Sequence, residues 1–295
     1  MCENASYTDA VHPRFSQKPV LFHSGIKIAL VQLSVGPDKS KNIAEAVKEI
    51  HKAKQNGAHL VALPESFNSP YGRMLPEYAE EVPAGDTSRA LSAAAVAAGV
   101  CVVGGTVPER CGDRLYNTCT VWDPSGKLIA QHRKMHMFDI DIPNKITYKE
   151  SAVLSAGSDL TTFDFEGVKV GLGICYDLRF SEMAHLMAQK GCSLLIYPGA
   201  FNLTTGPKHW ELLARARATD QQLWVALVSP ARDPTAGYVA WGHSTLVDPW
   251  GAVVDMLDEK PGTLYGTIDI STVEEVRSQI PIQRRTDVYD TVLKS

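Results

Sequence analysis

Two reactive side chains in this 295-residue chain stand directly behind apolar runs, and a third lies in a basic cluster. Cys175 closes Val170-Gly171-Leu172-Gly173-Ile174 and precedes Tyr176-Asp177-Leu178-Arg179-Phe180. A thiol where a buried strand turns toward a helix is held rigidly, and the orphan N–H groups of the helix start favour developing negative charge. Gly171 and Gly173 allow close approach of neighbouring backbone. Read plainly, the same cysteine is a small buried hydrophobe, because thiol reactivity needs an electropositive setting. Glu65 follows Leu60-Val61-Ala62-Leu63-Pro64, which places its carboxylate, partly desolvated, at the end of a sheet. Burial raises such a carboxyl and a nearby cation lowers it, so its pKa can be tuned for proton transfer. The plain alternative is a charge that opens a surface loop. Lys134 lies in His132-Arg133-Lys134-Met135-His136, a basic run of the kind that usually forms a solvated face. His132 and His136 have the spacing of a helical zinc pair, but Arg133 stands where that motif needs glutamate. Three cationic side chains also disfavour a dication there, and no metal is expected.

The bulk properties exclude several classes. A formal net charge of −4 leaves no basic surplus to neutralise phosphates, so no nucleic-acid partner is expected. No run reaches the roughly 18 apolar residues of a membrane span, so no membrane partner is expected either. Cysteines at positions 2, 101, 111, 119, 175 and 192 form no CxxC pair; reduced thiols in the cytosol are the simplest account. The first 25 residues lack a basic start and a long apolar run, which speaks against a secretory signal. Glu3 and Asp9 weaken a mitochondrial-transit reading without removing a mitochondrial pool. The sequon Asn202-Leu203-Thr204 is then idle. Gly171-Leu172-Gly173 lacks the third glycine of a dinucleotide fingerprint and no GxxxxGK[ST] occurs, so no cofactor is expected.

The elements that must position these residues alternate between short β-type runs and longer helical stretches, which is an α/β pattern. Strands are expected at 27–33, 59–63, 100–106, 193–197 and 223–229. Helices are expected at 39–57, 88–98, 181–190 and 209–221. The first helix carries Ala44, Val47, Ile50 and Ala53 on its apolar side and ends at Gly57. The last carries two arginines on its exposed side. Hairpins pair 115–122 with 128–132, 161–165 with 169–174, and 244–247 with 253–256 across turn residues such as Asp123-Pro124-Ser125-Gly126. Local hairpins beside βα alternation argue against a purely parallel doubly wound sheet. No linker or internal repeat divides the chain, so one domain is expected over 27–295, behind an N-terminal extension over 1–26.

Leu63-Pro64-Glu65, His132-Arg133-Lys134 and Gly173-Ile174-Cys175-Tyr176-Asp177-Leu178-Arg179-Phe180 resemble the three signature segments of the nitrilase superfamily, in its order Glu, Lys, Cys. The likeness runs from about Lys27 to Tyr289. Within the superfamily, Phe67-Asn68-Ser69-Pro70-Tyr71, Leu115-Tyr116-Asn117-Thr118, Met137-Phe138-Asp139-Ile140-Asp141-Ile142-Pro143, the segment from Tyr197 to Pro207, and Ser229-Pro230-Ala231-Arg232 resemble the omega-amidase branch. The resemblance implies a four-layer α-β-β-α sandwich, doubled in a homodimer, that hydrolyses a small-molecule amide. For that branch the substrates are 2-oxoglutaramate and 2-oxosuccinamate. It implies Cys175 as nucleophile, Glu65 as proton carrier, Lys134 with the Tyr176 N–H as oxyanion donors, and Glu150 as a second glutamate beside Lys134. Tyr71, Phe201 and Thr205 are expected in the pocket wall. Arg179 either clasps a substrate carboxylate or pairs with Glu182 or Asp177, the plainer role. Ser66 stands where family members often carry Cys or Ile-type residues, and Arg73-Met74-Leu75 departs from the omega-amidases beside the pocket. Another amide, such as deaminated glutathione or a carbamoylamine, a nitrile, or a non-catalytic scaffold on the same fold, remain the competing readings.

Overall fold

The alternation along β1 (Ile26–Gln32) sets the layering. Ile28 and Leu30 face one buried cluster while Ala29 and Val31 face another, as the period of two in a strand requires. A strand apolar on both faces belongs at the centre of a sheet covered on both sides. This computed structural model describes residues 25–72 and 75–294. Residues 1–24 of the expected extension, together with Arg73 and Met74, lie outside the described residues, and β1 begins at Ile26.

In the first sheet β1 runs parallel to β2 (Leu60–Ala62), which runs parallel to β3 (Cys101–Val103). β4 (Val107–Cys111), β5 (Arg114–Trp122) and β6 (Leu128–Arg133) continue it antiparallel, with β5 between β6 on one side and β4 and β3 on the other. β7 (Asp139–Ile142) and β8 (Ile146–Lys149) form a separate hairpin. The second sheet takes β9 (Thr162–Phe165), β10 (Val168–Leu172), β11 (Leu194–Pro198), β12 (Trp224–Val228), β13 (Thr245–Val247) and β14 (Val253–Met256) in chain order, with β10, β11 and β12 parallel at its centre. β15 (Gly262–Ile268) returns to the first sheet and pairs antiparallel with β1. Each sheet is therefore a parallel centre flanked by antiparallel strands.

The helices α1 (Lys39–Gln55) and α3 (Asp86–Ala98) cover the outer face of the first sheet, packing Ile50, Ala53, Leu91 and Ala95 onto Val31, Val61 and Val102. The short α2 (Leu75–Tyr78) precedes α3. On the outer face of the second sheet lie α4 (Ser181–Gln189) and α5 (Gly206–Gln221), with Met187, Trp210 and Ala214 in the larger core cluster. α6 (Ile270–Gln279) follows β15 and buries Val273 and Val276. The order helix, sheet, sheet, helix is the four-layer sandwich that the signature segments imply.

Two local expectations change. The buried stripe of α1 is Asn42, Ala46, Ile50 and Ala53, and Ala44 is exposed. A strict spacing of three drifts off a helix face, whereas steps of four and three follow its 3.6-residue turn. In α5, Arg215 is exposed as expected, but Arg217 is buried. Its Nε donates to the Leu178 carbonyl at 3.0 Å and its Nη2 to the Arg179 carbonyl at 2.9 Å, closing the turn behind Cys175. Two N–H donors held in one rigid fork can satisfy a loop's carbonyls where no water reaches.

Candidate active site

Glu65, Lys134 and Cys175 each follow the carboxyl end of a strand: β2, β6 and β10. The first two come from one sheet and the third from the other, so the site lies where the sheets face each other. Glu65 and Lys134 are both 0 % exposed and Cys175 4 %. Lys134 Nζ donates to Glu65 Oε1 at 3.2 Å and to Glu150 Oε1 at 3.0 Å. Glu150, itself buried in a one-turn helix after β8, also accepts the Phe138 N–H at 2.6 Å and the Tyr71 hydroxyl at 3.3 Å. Glu65 accepts Asn117 Nδ2 at Oε1, 2.8 Å, and the Ala200 N–H at Oε2, 2.7 Å.

The local backbone explains these placements. Cys175 sits at φ 47°, a left-handed conformation that a non-glycine residue holds only when its surroundings over-determine it. Gly199, at the end of β11, permits that fit, since a Cβ there would stand 3.2 Å from the Cys175 Cα. Ser66, beside Glu65, is also left-handed at φ 51°, and its N–H donates to Thr106 Oγ1 at 2.8 Å.

Burial raises the Glu65 carboxyl above its ordinary value, and the Glu150 charge adds to this against Lys134, the thiol and the Ala200 N–H. For Lys134 burial alone favours the neutral amine, yet the charges of Glu150 and Glu65 outweigh it and hold the ammonium well above its usual range. Burial, reinforced by the Glu65 charge, pushes the Cys175 thiol well up; Lys134 and the Ala200 N–H oppose it less strongly. Burial and the Glu65 charge together thus favour the protonated sulfur.

A narrow cleft of about 170 Å³, including open solvent, opens on Cys175 and is lined by Phe138, Tyr176, Arg179, Phe201, Thr205 and Tyr238. A larger one of about 850 Å³, including open solvent, reaches Glu65 from the side of Ser66, Tyr71 and Pro230, and shares Ala200 and Tyr238 with the first. Phe201 and Thr205 thus stand beside the sulfur, whereas Tyr71 stands beside the carboxylates. Arg179 departs from its plainer expectation. Among the described residues it pairs with neither Glu182 nor Asp177: its Nη1 meets His209 Nδ1 at 3.1 Å and its guanidinium lies 4.8 Å from the Phe201 ring centre and 5.2 Å from that of Tyr176. Its Nε has no partner among the described residues. Asp177 is turned away from it, toward His132 and His136. That contact is what joins the two histidines of zinc-like spacing, on an extended segment rather than a helix. Arg133, expected on a solvated face, is half-buried, with Nε on Glu109 Oε2 at 2.8 Å and its guanidinium over the Tyr116 ring.

Sequence reasoning missed Asn117 and Tyr238. A lone amide inside the buried strand Arg114–Trp122 was a usable signal for the first. Nothing in the loop around Tyr238 marks that its hydroxyl donates at 2.6 Å to the carbonyl of Ala200, the residue whose N–H serves Glu65.

Residues 27–278 match the carbon-nitrogen hydrolase family. The omega-amidase NIT2 of Mus musculus is 53% identical over 269 residues, covering 90% of this chain and 97% of its own length. That of Homo sapiens is 50% identical over 274 residues, covering 92% and 99%. Among solved structures, Saccharomyces cerevisiae Nit3, described as a member of branch 10 of the nitrilase superfamily, superposes with a TM-score of 0.82 at 40% identity, covering 89% of this chain and 97% of that one. The chain belongs to the carbon-nitrogen hydrolase family and has the nitrilase-superfamily fold. It is an enzyme that hydrolyses amide carbon–nitrogen bonds.

Proposed function

We propose that the chain hydrolyses the terminal amide of short oxo-dicarboxylic acid monoamides, 2-oxoglutaramate and 2-oxosuccinamate, to the acid and ammonia through a thioester on Cys175. The observation that carries the reading is a buried thiol and a buried carboxylate–ammonium pair, Glu65 with Lys134, brought together where the two sheets face each other, beside a guanidinium that no carboxylate among the described residues neutralises. Glu65 takes the thiol proton as sulfur bonds to the amide carbon. The Lys134 ammonium and the Tyr176 N–H hold the oxyanion, a role in which losing one donor typically costs ~10²–10³ in turnover. The carbon–nitrogen bond then breaks, and ammonia leaves with the proton returned by Glu65. Water, deprotonated by Glu65, attacks the thioester, giving the acid and the free thiol. Glu150 orients Lys134. Arg179 receives the substrate's free carboxylate, which supplies the planar acceptor its fork lacks. Phe201 and Thr205 wall the acyl chain, and Tyr71 steadies Glu150.

Exposed apolar side chains on α5 and beyond α6, Leu212, Ile280 and Ile282, offer a surface for a second copy, and the reading includes a homodimer. The cysteines at 101, 111, 119, 175 and 192 are unpaired, which fits the cytoplasm or another reducing compartment such as the mitochondrial matrix.

The test is ammonia release from both oxo-acid amides, beside deaminated glutathione and a carbamoylamine, with mass spectrometry of quenched enzyme. The expected result is turnover of the short oxo acids and an acyl adduct on Cys175, both lost in Cys175→Ala. Turnover confined to the bulkier amides overturns the substrate. An active Cys175→Ala enzyme overturns the chemistry and leaves a fold whose sulfur does nothing.

A further inference from the structure

Asp177 is fully buried two residues beyond Cys175, and no step of the proposed hydrolysis uses it. Its carboxylate nevertheless collects four donors. Oδ2 accepts the Ile174 N–H at 2.9 Å and meets His132 Nε2 at 3.2 Å. Oδ1 accepts the His136 N–H at 2.9 Å and meets His136 Nδ1 at 2.7 Å. An ionised carboxylate only accepts, so each ring presents a protonated nitrogen to it. Burial alone would raise this carboxyl; the hydrogen bonds from both histidines, the electrostatic pull of His132 and the Ile174 N–H outweigh it and keep Asp177 below the ordinary carboxylate range.

The arrangement links two segments that lie some forty residues apart in the chain. His132 and His136 stand two residues either side of Lys134. Ile174 and Asp177 bracket Cys175, and the Asp177 N–H donates back to the Ile174 carbonyl at 2.9 Å. His136 also stacks on Phe180, at 3.5 Å between ring centres, where the Cys175 turn ends. One carboxylate thus grips the lysine segment at both shoulders and the cysteine turn on both sides of its sulfur. The left-handed Cys175 needs such support, because nothing in its own residue type favours that conformation.

We infer that Asp177 is a positioning residue, whose hold on His132 and His136 fixes the separation of the Lys134 ammonium and the Cys175 sulfur. It acts through those groups and touches no substrate. The inference rests on the reading that Lys134 and Cys175 work on one amide.

Asp177→Asn keeps the size but offers one acceptor oxygen in place of two. Displacement of reacting groups by an ångström costs ~10²-fold in rate, so kcat should fall by about that factor with KM for the oxo-acid amide nearly unchanged. Modification of Cys175 by iodoacetamide, followed by mass, should slow by at least ~10-fold, because it needs the same sulfur and base in register. His136 has a side chain 28% exposed, so its variants spare the core. His136→Leu should lower kcat and the alkylation rate. His136→Asn, whose amide nitrogen can replace Nδ1, should recover most of both, a rescue that mere packing does not give. The inference is overturned if folded Asp177→Asn keeps both rates within about threefold of wild type, or if His136→Asn is no better than His136→Leu. Should Asp177→Asn not fold, the His136 pair decides. A wild-type enzyme inactive on the oxo-acid amides defeats the substrate reading, and the alkylation comparison still decides the role of Asp177.

Discussion

Glu65→Gln is the sharpest perturbation of the proposed chemistry, because it removes a proton acceptor and little volume. Every neighbour of the carboxylate is a donor: Asn117 and Lys134 at Oε1, Ala200 at Oε2. A glutamine oxygen can serve only one side. The Ala200 N–H is fixed backbone and will claim it, while Asn117, whose Oδ1 has no partner among the described residues, can turn its amide to accept from the new NH2. Lys134 then faces a donor and keeps only Glu150. Losing one charge-assisted hydrogen bond of this kind costs about 1.5–3 kcal/mol of stability. Losing the base costs ~10²–10⁴ in rate, or roughly 3–5 kcal/mol of barrier. Urea unfolding and ammonia release measure the two separately, so a folded but nearly inactive enzyme is expected. The pH profile adds a sign. Glu65 acts as a base only when ionised, and burial raises its pKa, so activity is present above that value and disappears as pH falls through it. The acid limb of kcat/KM should therefore lie above about 4.3, the ordinary glutamate value. A Glu65→Gln enzyme retaining more than a tenth of wild-type kcat would refute the reasoning.

Because burial and the Glu65 charge raise the Cys175 thiol, the ultraviolet difference between wild type and Cys175→Ala should show no thiolate band at neutral pH; a band there would mean a pre-formed ion pair. Arg179→Met should lower kcat/KM for the oxo-acid amides by ~10–150-fold, the value of about 1.5–3 kcal/mol for a charged hydrogen bond. It should leave activity on an amide that lacks the free carboxylate nearly unchanged, and equal loss on both would remove Arg179 from carboxylate recognition. Gly105, at φ +57°, faces the Pro64 carbonyl so closely that a Cβ would overlap it. Gly105→Ala should cost about 1–2 kcal/mol for the left-handed backbone alone, with more for the overlap, and should lower kcat by displacing Glu65; thermal unfolding within a degree of wild type would contradict this.

Glu65 and Cys175 could be singled out in the sequence because each comes after an apolar run that a sheet must bury, whereas Lys134, in a basic run, was marked only by the family resemblance. Leu60-Val61-Ala62 and Val170-Gly171-Leu172 read as strands, and residues just past a strand's carboxyl end face the crevice. Three hairpins, β5–β6, β9–β10 and β13–β14, were legible from their turn residues. β4, the β7–β8 hairpin and β15 were not foreseen, since their strands are half-exposed or interrupted by charges such as Glu109, Asp139 and Asp141. Long-range partnerships were illegible for a different reason. Arg217 looks like any surface arginine of a helix, and Asp177 like a partner for its neighbour Arg179. Only packing α5 against the Cys175 turn buries the first, and only the meeting of the two sheets brings His132 to the second.

Charge accounting explains why such a site would hold two glutamates for one lysine. With Cys175 as a thiol, Glu65 and Glu150 ionised and Lys134 protonated, these groups carry one net negative charge. Moving the proton from sulfur to Glu65 leaves that sum unchanged, so the step asks only for a short relocation of charge in a medium where creating new charge is costly. At that moment, however, Lys134 loses one of its two counterions. Burial favours its neutral form, and a neutral amine could neither hold an oxyanion nor resist taking the wrong proton. Glu150, anchored by the Phe138 N–H and the Tyr71 hydroxyl and not in contact with the sulfur's proton path, keeps the ammonium charged throughout. On this reading one carboxylate is free to carry the proton during each turnover because the other stays paired with the ammonium.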